Sequence, residues 1–351
     1  MSESGKISGP VLVTGGAGYI GSHTVRALVD RGYRVVVLDN LSKGHREAVR
    51  GVDLVVGDTS DGDLLRKIFR EHGIRAVVHF AASSLVGESV RDPAAYYRNN
   101  VIGGIRLLDA MAGAGVPYLV FSSTAAVYGE PQEVPIPEEH PLVPANPYGA
   151  TKLALEGAMR WYADAYGLKH MALRYFNAAG ADPEGDIGED HSPETHLIPL
   201  VLKAALGILP HLPVFGTDYP TPDGTCVRDY VHVTDLAQAH VLALEALASG
   251  APSGVYNLGN GNGYSVLEVI RAAEAVTGAT IPVEYAPRRP GDPAILVASS
   301  GRAKRELGWR PVYAGLEAII GTAWNWHKRH PQGFAQEYAR EGGDIGRLEG
   351  R

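Results

Sequence analysis

Val11-Leu12-Val13-Thr14-Gly15-Gly16-Ala17-Gly18-Tyr19-Ile20-Gly21 decides how the rest of this chain is read. A bare apolar run of the kind buried on both faces of a sheet leads into a turn of small residues and then into a helical pattern. Strand, tight turn and helix in that order set free backbone amides at a helix start, where they can hold a pyrophosphate. Glycines at 15, 18 and 21 satisfy one dinucleotide-clamp spacing and those at 16, 18 and 21 another, with Tyr19 and Ile20 inside the clamp. The chain holds 43 glycines, so the turn taken alone reads equally as a tight loop, and its surroundings must decide.

Those surroundings repeat the pattern. Val35-Val36-Val37-Leu38, Leu54-Val55-Val56, Ala76-Val77-Val78-His79-Phe80 and Tyr118-Leu119-Val120-Phe121 alternate with amphipathic stretches long enough for crossover helices. A sixth strand is expected over Ala172 to Phe176, after a long helix that starts near Tyr148, beyond the prolines at 141, 144 and 147. The pattern predicts an α/β fold with a Rossmann-like, doubly wound parallel sheet. Asp39, with Asn40 behind it, ends the second strand 18 residues past Gly21, where a carboxylate accepts from both ribose hydroxyls and repels a 2′-phosphate. NAD is therefore expected over NADP; the alternative is that Asp39-Asn40 only caps a turn. Asp58 and Thr59 end the third strand, where an adenine amino group can be met.

Past Asn177 the texture changes to Gly- and Pro-rich loops broken by shorter elements. The expected division is a tail over 1–10, a cofactor domain over 11–177, a smaller mixed α/β substrate domain over 178–335 and a loosely held tail over 336–351. Part of 226–260 should pack back on the first domain, because Asp235 to Leu247 has helical periodicity.

At 351 residues with 45% hydrophobic and 20% charged residues, the chain has the make-up of a globular protein. A net charge of −7 without any basic run argues against nucleic acid and anionic membranes as partners. Cys226 is the one cysteine, which excludes an intrachain disulfide and suits a reducing compartment. Neither a signal-peptide core nor a membrane-length apolar run is visible, and a cytoplasmic location is expected.

Tyr148-Gly149-Ala150-Thr151-Lys152 supplies the chemistry. Residues four apart share a helix face. With 17 tyrosines in the chain the bare spacing carries little weight; its place after a fifth strand ending in Ser122-Ser123-Thr124 carries more. A phenol of ordinary pKa about 10 becomes a usable base when a neighbouring ammonium and a positive nicotinamide favour the phenolate. Tyr148 would take a hydroxyl proton while NAD takes hydride from the same carbon, Lys152 would also hold the nicotinamide ribose, and Thr124 would bond the reacting oxygen and relay the proton. Thr124 also reads as a strand-end hydroxyl that satisfies backbone.

The chain resembles the UDP-glucose 4-epimerase (UDP-galactose 4-epimerase) family of the extended short-chain dehydrogenase/reductase superfamily, from Val11 to about Gly333. The likeness rests on His79-Phe80-Ala81, Val86 to Val90, Tyr96 to Val101, Val127-Tyr128-Gly129, Arg174 to Asn177, Gly188-Glu189-Asp190, Val227 to Tyr230, Asn257-Leu258-Gly259 and Ala286 to Arg289. The resemblance implies that Phe80, Ala81, Ala82, Asn99, Ser122 and Tyr175 join Tyr148 and Lys152 around NAD. It implies that Asn177, His196, Leu197, Phe215, Arg228, Arg289 and Asp292 hold the UDP portion, beside Thr124. Guanidinium forks suit a buried diphosphate, although an Arg followed by Asp, as at 228–229, is as often a structural ion pair. Ser84 stands where some relatives carry a lysine that reaches the cofactor.

The same resemblance implies reversible C4 epimerisation of UDP-glucose and UDP-galactose through a 4-keto sugar, with NAD kept through turnover, in a homodimer formed through the Tyr148 helix and its neighbour. Leu296 falls where the family walls the sugar pocket, and a leucine there leaves N-acetylhexosamine and pentose UDP-sugars open as substrates. A 4,6-dehydratase needs a further acid beside Thr124, where this chain has Ala125-Ala126. A nonenzymatic NAD-binding protein would have little use for Thr124, Tyr148 and Lys152 together. No metal is expected: His191 and His196 are close, but no H-E-x-x-H motif accompanies them.

Overall fold

A computed structural model describes residues 6–289 and 291–334; the tail expected over 336–351 lies outside the described residues. The first half folds into strands β1 (Val11–Thr14), β2 (Val35–Asp39), β3 (Asp53–Val56), β4 (Ala76–His79), β5 (Tyr118–Thr124) and β6 (Lys169–Tyr175). Shorter strands follow at β7 (Asn177–Ala179), β8 (Leu212–Phe215) and β9 (Val227–His232), and then comes β10 (Gly254–Leu258). β1 to β6 and β10 form one seven-stranded sheet, all parallel, in the order β10-β6-β5-β4-β1-β2-β3. The chain reverses direction across the sheet between β1 and β4, the position at which doubly wound folds open their ligand crevice.

Alternation along the strands produces two cores. Val11, Val13, Val35, Val37, Ala76 and Val78 point to one face, where α1 (Tyr19–Asp30) packs with a helix from the second half. Leu12, Val36, Leu38, Val77 and Phe121 point to the other, against α2 (Gly62–His72), α5 (Gly103–Ala114) and α6 (Pro147–Tyr166); the short α3 (Val86–Arg91) and α4 (Pro93–Tyr96) lie between α2 and α5 in the chain. Leu28 and Leu65 are fully buried on opposite faces, and each contributes about 1.5–3 kcal/mol through burial.

The fold departs from a clean division at Asn177. After α7 (Leu197–Ala205), helix α8 (Val233–Ala248) returns to the first core through Leu236, Val241, Leu244 and Leu247. β10 then adds to the sheet edge, Gly254 to Leu258 aligning with Met171 to Tyr175. The remaining elements, β11 (Gly263–Ser265), α9 (Val266–Thr277), β12 (Val283–Ala286), β13 (Ile295–Leu296), α10 (Gly301–Glu306) and α11 (Leu316–Arg329), complete the second half. A third core there joins Val201 and Leu202 of α7, Val269 of α9 and Ile319 and Ile320 of α11. β9 anchors its small sheet, with β7, β11 and β13 as neighbours, and β8 pairs with β12. Among the described residues no helix is long and apolar enough to cross a membrane.

Candidate active site

The glycine turn is explained by what a side chain would strike. Gly15 has φ +70°, and a Cβ there would lie 2.5 Å from the Ala81 amide nitrogen; a Cβ on Gly21 would lie 2.1 Å from the Gly15 carbonyl oxygen. These two glycines let β1, α1 and the end of β4 approach one another. Gly18 differs, because its Cβ would meet only the Gly15 oxygen, at 3.4 Å. It is also the N-cap of α1 and supplies no side-chain cap, so the first-turn amides of Tyr19, Ile20 and Gly21 have no intrahelical acceptor. An uncapped helix start beside an uncrowded glycine fits a pyrophosphate. Tyr19 itself is turned to structure: its buried hydroxyl donates to the Gly180 carbonyl at 2.6 Å.

Asp39 is buried at the end of β2 and accepts from the Ala17 amide at 2.9 Å and the Leu41 amide at 2.8 Å. Burial pushes its carboxyl pKa up, and the two amides oppose that. The side chain is thereby fixed at the mouth of the clamp, each oxygen keeping a further lone pair for a ribose hydroxyl. Asn40 donates to Asp58 at 2.9 Å, and the Ser60 amide holds the other Asp58 oxygen at 2.8 Å. Thr59 is buried against Gly103 of α5. Phe80 and Ala81 both donate backbone N–H to the Thr14 carbonyl, which keeps the end of β4, Ala82 included, beside the clamp. Phe80 also packs on His240 of α8, ring centroids 4.6 Å apart. Asn99 lies in the π-helical turn Tyr97–Ile102 and donates to the Ser83 hydroxyl at 3.2 Å, while Ser84 is exposed.

Helix α6 starts at Pro147 because Asn146 caps it, accepting from the Gly149 amide at 2.9 Å. A Cβ on Gly149 would come 2.4 Å from the Ala126 carbonyl oxygen, so this glycine lets the helix start lie directly on the turn after β5. Tyr148 and Lys152 consequently share one face beside Ser122, Thr124 and Tyr175. Lys152 is buried and donates to the Ser122 carbonyl at 2.8 Å, its nitrogen 4.9 Å from the Phe121 ring centroid and 6.0 Å from that of Tyr148. The Ser122 and Tyr175 hydroxyls are hydrogen-bonded to each other. Thr124 is buried; its Oγ accepts weakly from the Ala126 amide, and its hydroxyl favours the Tyr148 phenolate by hydrogen bonding.

The electrostatics differ from the expectation in one respect. Burial pushes the Tyr148 phenol above its ordinary value, and the lowering influence comes from Thr124. Burial also lowers the Lys152 ammonium to about 7, with Glu156 opposing. Lys152 donates to backbone carbonyl and not to the phenol, so its influence on Tyr148 is through space, with the nitrogen 6.0 Å from the ring centroid.

Glu156, one turn beyond Lys152, escaped the sequence reading. It takes a bidentate bond from Arg174, at 3.0 and 2.5 Å, and one from the Ser123 hydroxyl at 2.5 Å, all buried. Arg174 also reaches Tyr128, whose hydroxyl donates to Asn257 of β10 at 2.7 Å. Its i+4 spacing from Lys152 was the available signal; the partner on β6 was not visible. This network locks α6 to the end of β5.

Asn177 opens β7, His196 precedes α7 and Leu197 begins it. Arg228 on β9 is ion-paired with Asp292 and not with its chain neighbour Asp229. Asp229 is buried and accepts from the Asn260, Gly261 and Ala298 amides at 2.8, 3.0 and 3.1 Å; burial raises it to about 6. The side chains alternate across the strand, so neighbours in sequence face apart. The Arg289 guanidinium covers the Phe215 ring at 4.0 Å. Leu296 on β13 aligns with Arg228 and packs against the cluster of Ala125, Val127, Tyr128 and Ile136 that follows Thr124. Glu189 binds both His191 and His196, a grouping that the sequence reading, which saw only two nearby histidines, had missed.

The sequence profile of the NAD dependent epimerase/dehydratase family matches residues 11–259. UDP-glucose 4-epimerase of Halalkalibacterium halodurans is 58% identical over 327 residues, 93% of this chain and 98% of that protein. The crystal structure of UDP-glucose 4-epimerase from Brucella ovis in complex with NAD superposes with a TM-score of 0.88 at 51% identity, covering 90% of this chain and 98% of that one. The enzyme from Bifidobacterium longum in complex with NAD+ and UDP gives a TM-score of 0.88 at 42% identity, covering 93% of this chain and 100% of that one.

Proposed function

The chain belongs to the NAD dependent epimerase/dehydratase family, and from that premise we infer that it catalyses reversible C4 epimerisation of UDP-glucose and UDP-galactose. The observation that carries the reading is the meeting of Tyr148, Lys152 and Thr124 at the end of β5, with alanines at the two following positions. When bound, NAD supplies the acceptor and donor of hydride at C4 and a positive charge close to the phenol. Gly15, Gly18 and the first-turn amides of α1 would hold its pyrophosphate and Asp39 its adenosine ribose.

Tyr148 would remove the C4 hydroxyl proton as hydride leaves C4 and, once the 4-keto sugar has turned its other face to the site, return a proton to the same oxygen as hydride comes back to C4, which inverts that carbon. Thr124, which stabilises the phenolate, sits where it can bond the same oxygen. Lys152 fixes the cofactor's ribose side of the site through its anchorage on Ser122. Arg228 and Arg289 neutralise the diphosphate, and their pairing with Asp292 and Phe215 keeps both guanidinium groups in position before substrate arrives. Ala125 and Ala126 hold no proton to give, which favours return of hydride over elimination of water.

The reading extends to a cytoplasmic homodimer. Support comes from the one cysteine, Cys226, which is free and buried, and from Trp161, Tyr166, Tyr97 and Ile102, apolar side chains exposed on α6 and the turn before α5. Presenting UDP-galactose and UDP-N-acetylgalactosamine separately and following the C4 proton by NMR tests the function. Conversion of UDP-galactose to UDP-glucose is expected; conversion of neither sugar refutes the reading, and conversion of the N-acetyl sugar alone overturns the substrate.

A further inference from the structure

Between β7 and α7 the chain reads Glu189-x-His191-x-x-Glu194-x-His196, and the four side chains converge. One ligand atom from each lies within 4.8 Å of every other. His191 Nδ1 is 3.3 Å from Glu189 Oε1 and 3.7 Å from Glu194 Oε2, and His196 Nδ1 bonds the same Glu189 oxygen. Both carboxylates are 3% exposed. Glu194 Oε1 is occupied by the Thr195 and His196 amides at 2.7 and 2.8 Å, whereas its Oε2 is buried, turned to the cluster and without a hydrogen-bond partner. Only the His191 imidazole, 3.7 Å away and beyond hydrogen-bond distance, faces this buried oxygen, and a cation seated between them would satisfy it better.

We propose that Glu189, His191, Glu194 and His196 form a binding site for a divalent transition-metal cation of the zinc class. Two imidazoles with two carboxylates suit zinc better than magnesium or calcium, which prefer all-oxygen sites. Zinc bonds of about 2.0–2.2 Å put tetrahedral donors about 3.3 Å apart; the His191–Glu189 pair already stands at 3.3 Å and the His191–Glu194 pair at 3.7 Å, while the His196–Glu189 hydrogen bond must open to admit the ion. Two carboxylates balance the ion's charge. Four protein ligands leave no open position, so the site is structural and not hydrolytic.

Its place gives it a consequence. Glu189 is held through its carbonyl by the Trp326 indole of α11 at 3.2 Å, His196 immediately precedes α7, and the His191 ring is 6.3 Å from that of Tyr19 in the clamp helix. A bound ion would therefore clip the loop before α7 to the glycine clamp and to α11.

Because the resemblance also sets His196 beside UDP, the proposal is tested by metal binding and not by turnover. Tag-free, EDTA-treated full-length protein is dialysed against Zn2+ with a competing chelator, and zinc per chain is measured by mass spectrometry; Co2+ replaces Zn2+ for absorption spectra. One zinc per chain and the intense visible bands of tetrahedral cobalt are expected, with Glu194→Gln and His191→Gln each weakening affinity by about 10-fold or more. Absence of stoichiometric zinc, octahedral cobalt bands, or equal affinity in parent and folded variants would overturn it. Circular dichroism establishes that the variants are folded, and the cobalt spectrum of the parent decides the matter even if neither variant is.

Discussion

The Lys152 ammonium donates to the Ser122 carbonyl at 2.8 Å and not to the phenol of Tyr148, four residues earlier on the same helix. The two residues act on different objects. On the proposed reading Lys152 organises the strand end that the cofactor must meet, and Tyr148 draws its acidity from Thr124 and from the cofactor. A Tyr148→Phe protein should retain its NAD, seen by absorbance after gel filtration, while turnover falls about 10²–10⁴-fold. Turnover within a few-fold of the parent would remove Tyr148 from the chemistry.

The buried Lys152 also has a signature in stability. Its folded-state pKa, lowered to about 7 by burial, lies below the ordinary value of about 10.4, so between those limits the unfolded chain binds more protons. Stability from this group therefore rises with pH across about 7 to 10.4, and its cost is full below 7. Cofactor-free Lys152→Met should melt higher than the parent at pH 6, and the gap should narrow steadily by pH 10. A gap independent of pH in thermal scans would contradict the burial argument.

The glycines of the clamp should separate binding from folding. Gly18→Ala meets only one oxygen at 3.4 Å, so its melting temperature without cofactor should change little while NAD affinity falls. Gly21→Ala would drive a methyl into the Gly15 carbonyl and should lose about 1–3 kcal/mol of stability as well. Equal destabilisation of the two variants in urea titrations would show that the crowding argument is wrong.

Removing one charge from the buried Glu156–Arg174 pair strands the other. Glu156→Gln should cost about 3–5 kcal/mol in urea unfolding, far more than a surface ion pair, because the guanidinium stays dehydrated against Tyr128. A loss under 1 kcal/mol would mean that water reaches Arg174.

Leu296 bears on sugar range. It packs on the cluster that follows Thr124 and lies in register with Arg228, between the proposed reacting residues and the proposed diphosphate ligand. Leu296→Tyr should lower kcat/KM for UDP-N-acetylgalactosamine more than for UDP-galactose; equal effects would place the sugar's 2-substituent elsewhere.

β1, β2 and β4 could be read locally because each is buried on both faces, and burial of that kind writes itself into contiguous Val, Leu and Ala residues such as Val35 to Leu38. The glycine turn and the Tyr148–Lys152 spacing were legible for the same reason, since three or four residues span each geometry. β10 was not. Gly254 to Leu258 joins the sheet only because β6 offers it an edge 83 residues away in the chain, whereas the return of α8 to the first core follows the helical periodicity already visible over Asp235 to Leu247. What the amino-acid sequence determined alone was the parallel sheet, the glycine turn between β1 and α1 and the helix on which Tyr148 and Lys152 share a face, all products of local periodicity and sterics. Tertiary structure decided the partners: Arg228 with Asp292 instead of Asp229, Lys152 with Ser122, Glu156 with Arg174, and Glu189 with two histidines. Charges choose among neighbours in space, and only the folded chain brings those neighbours within bonding distance.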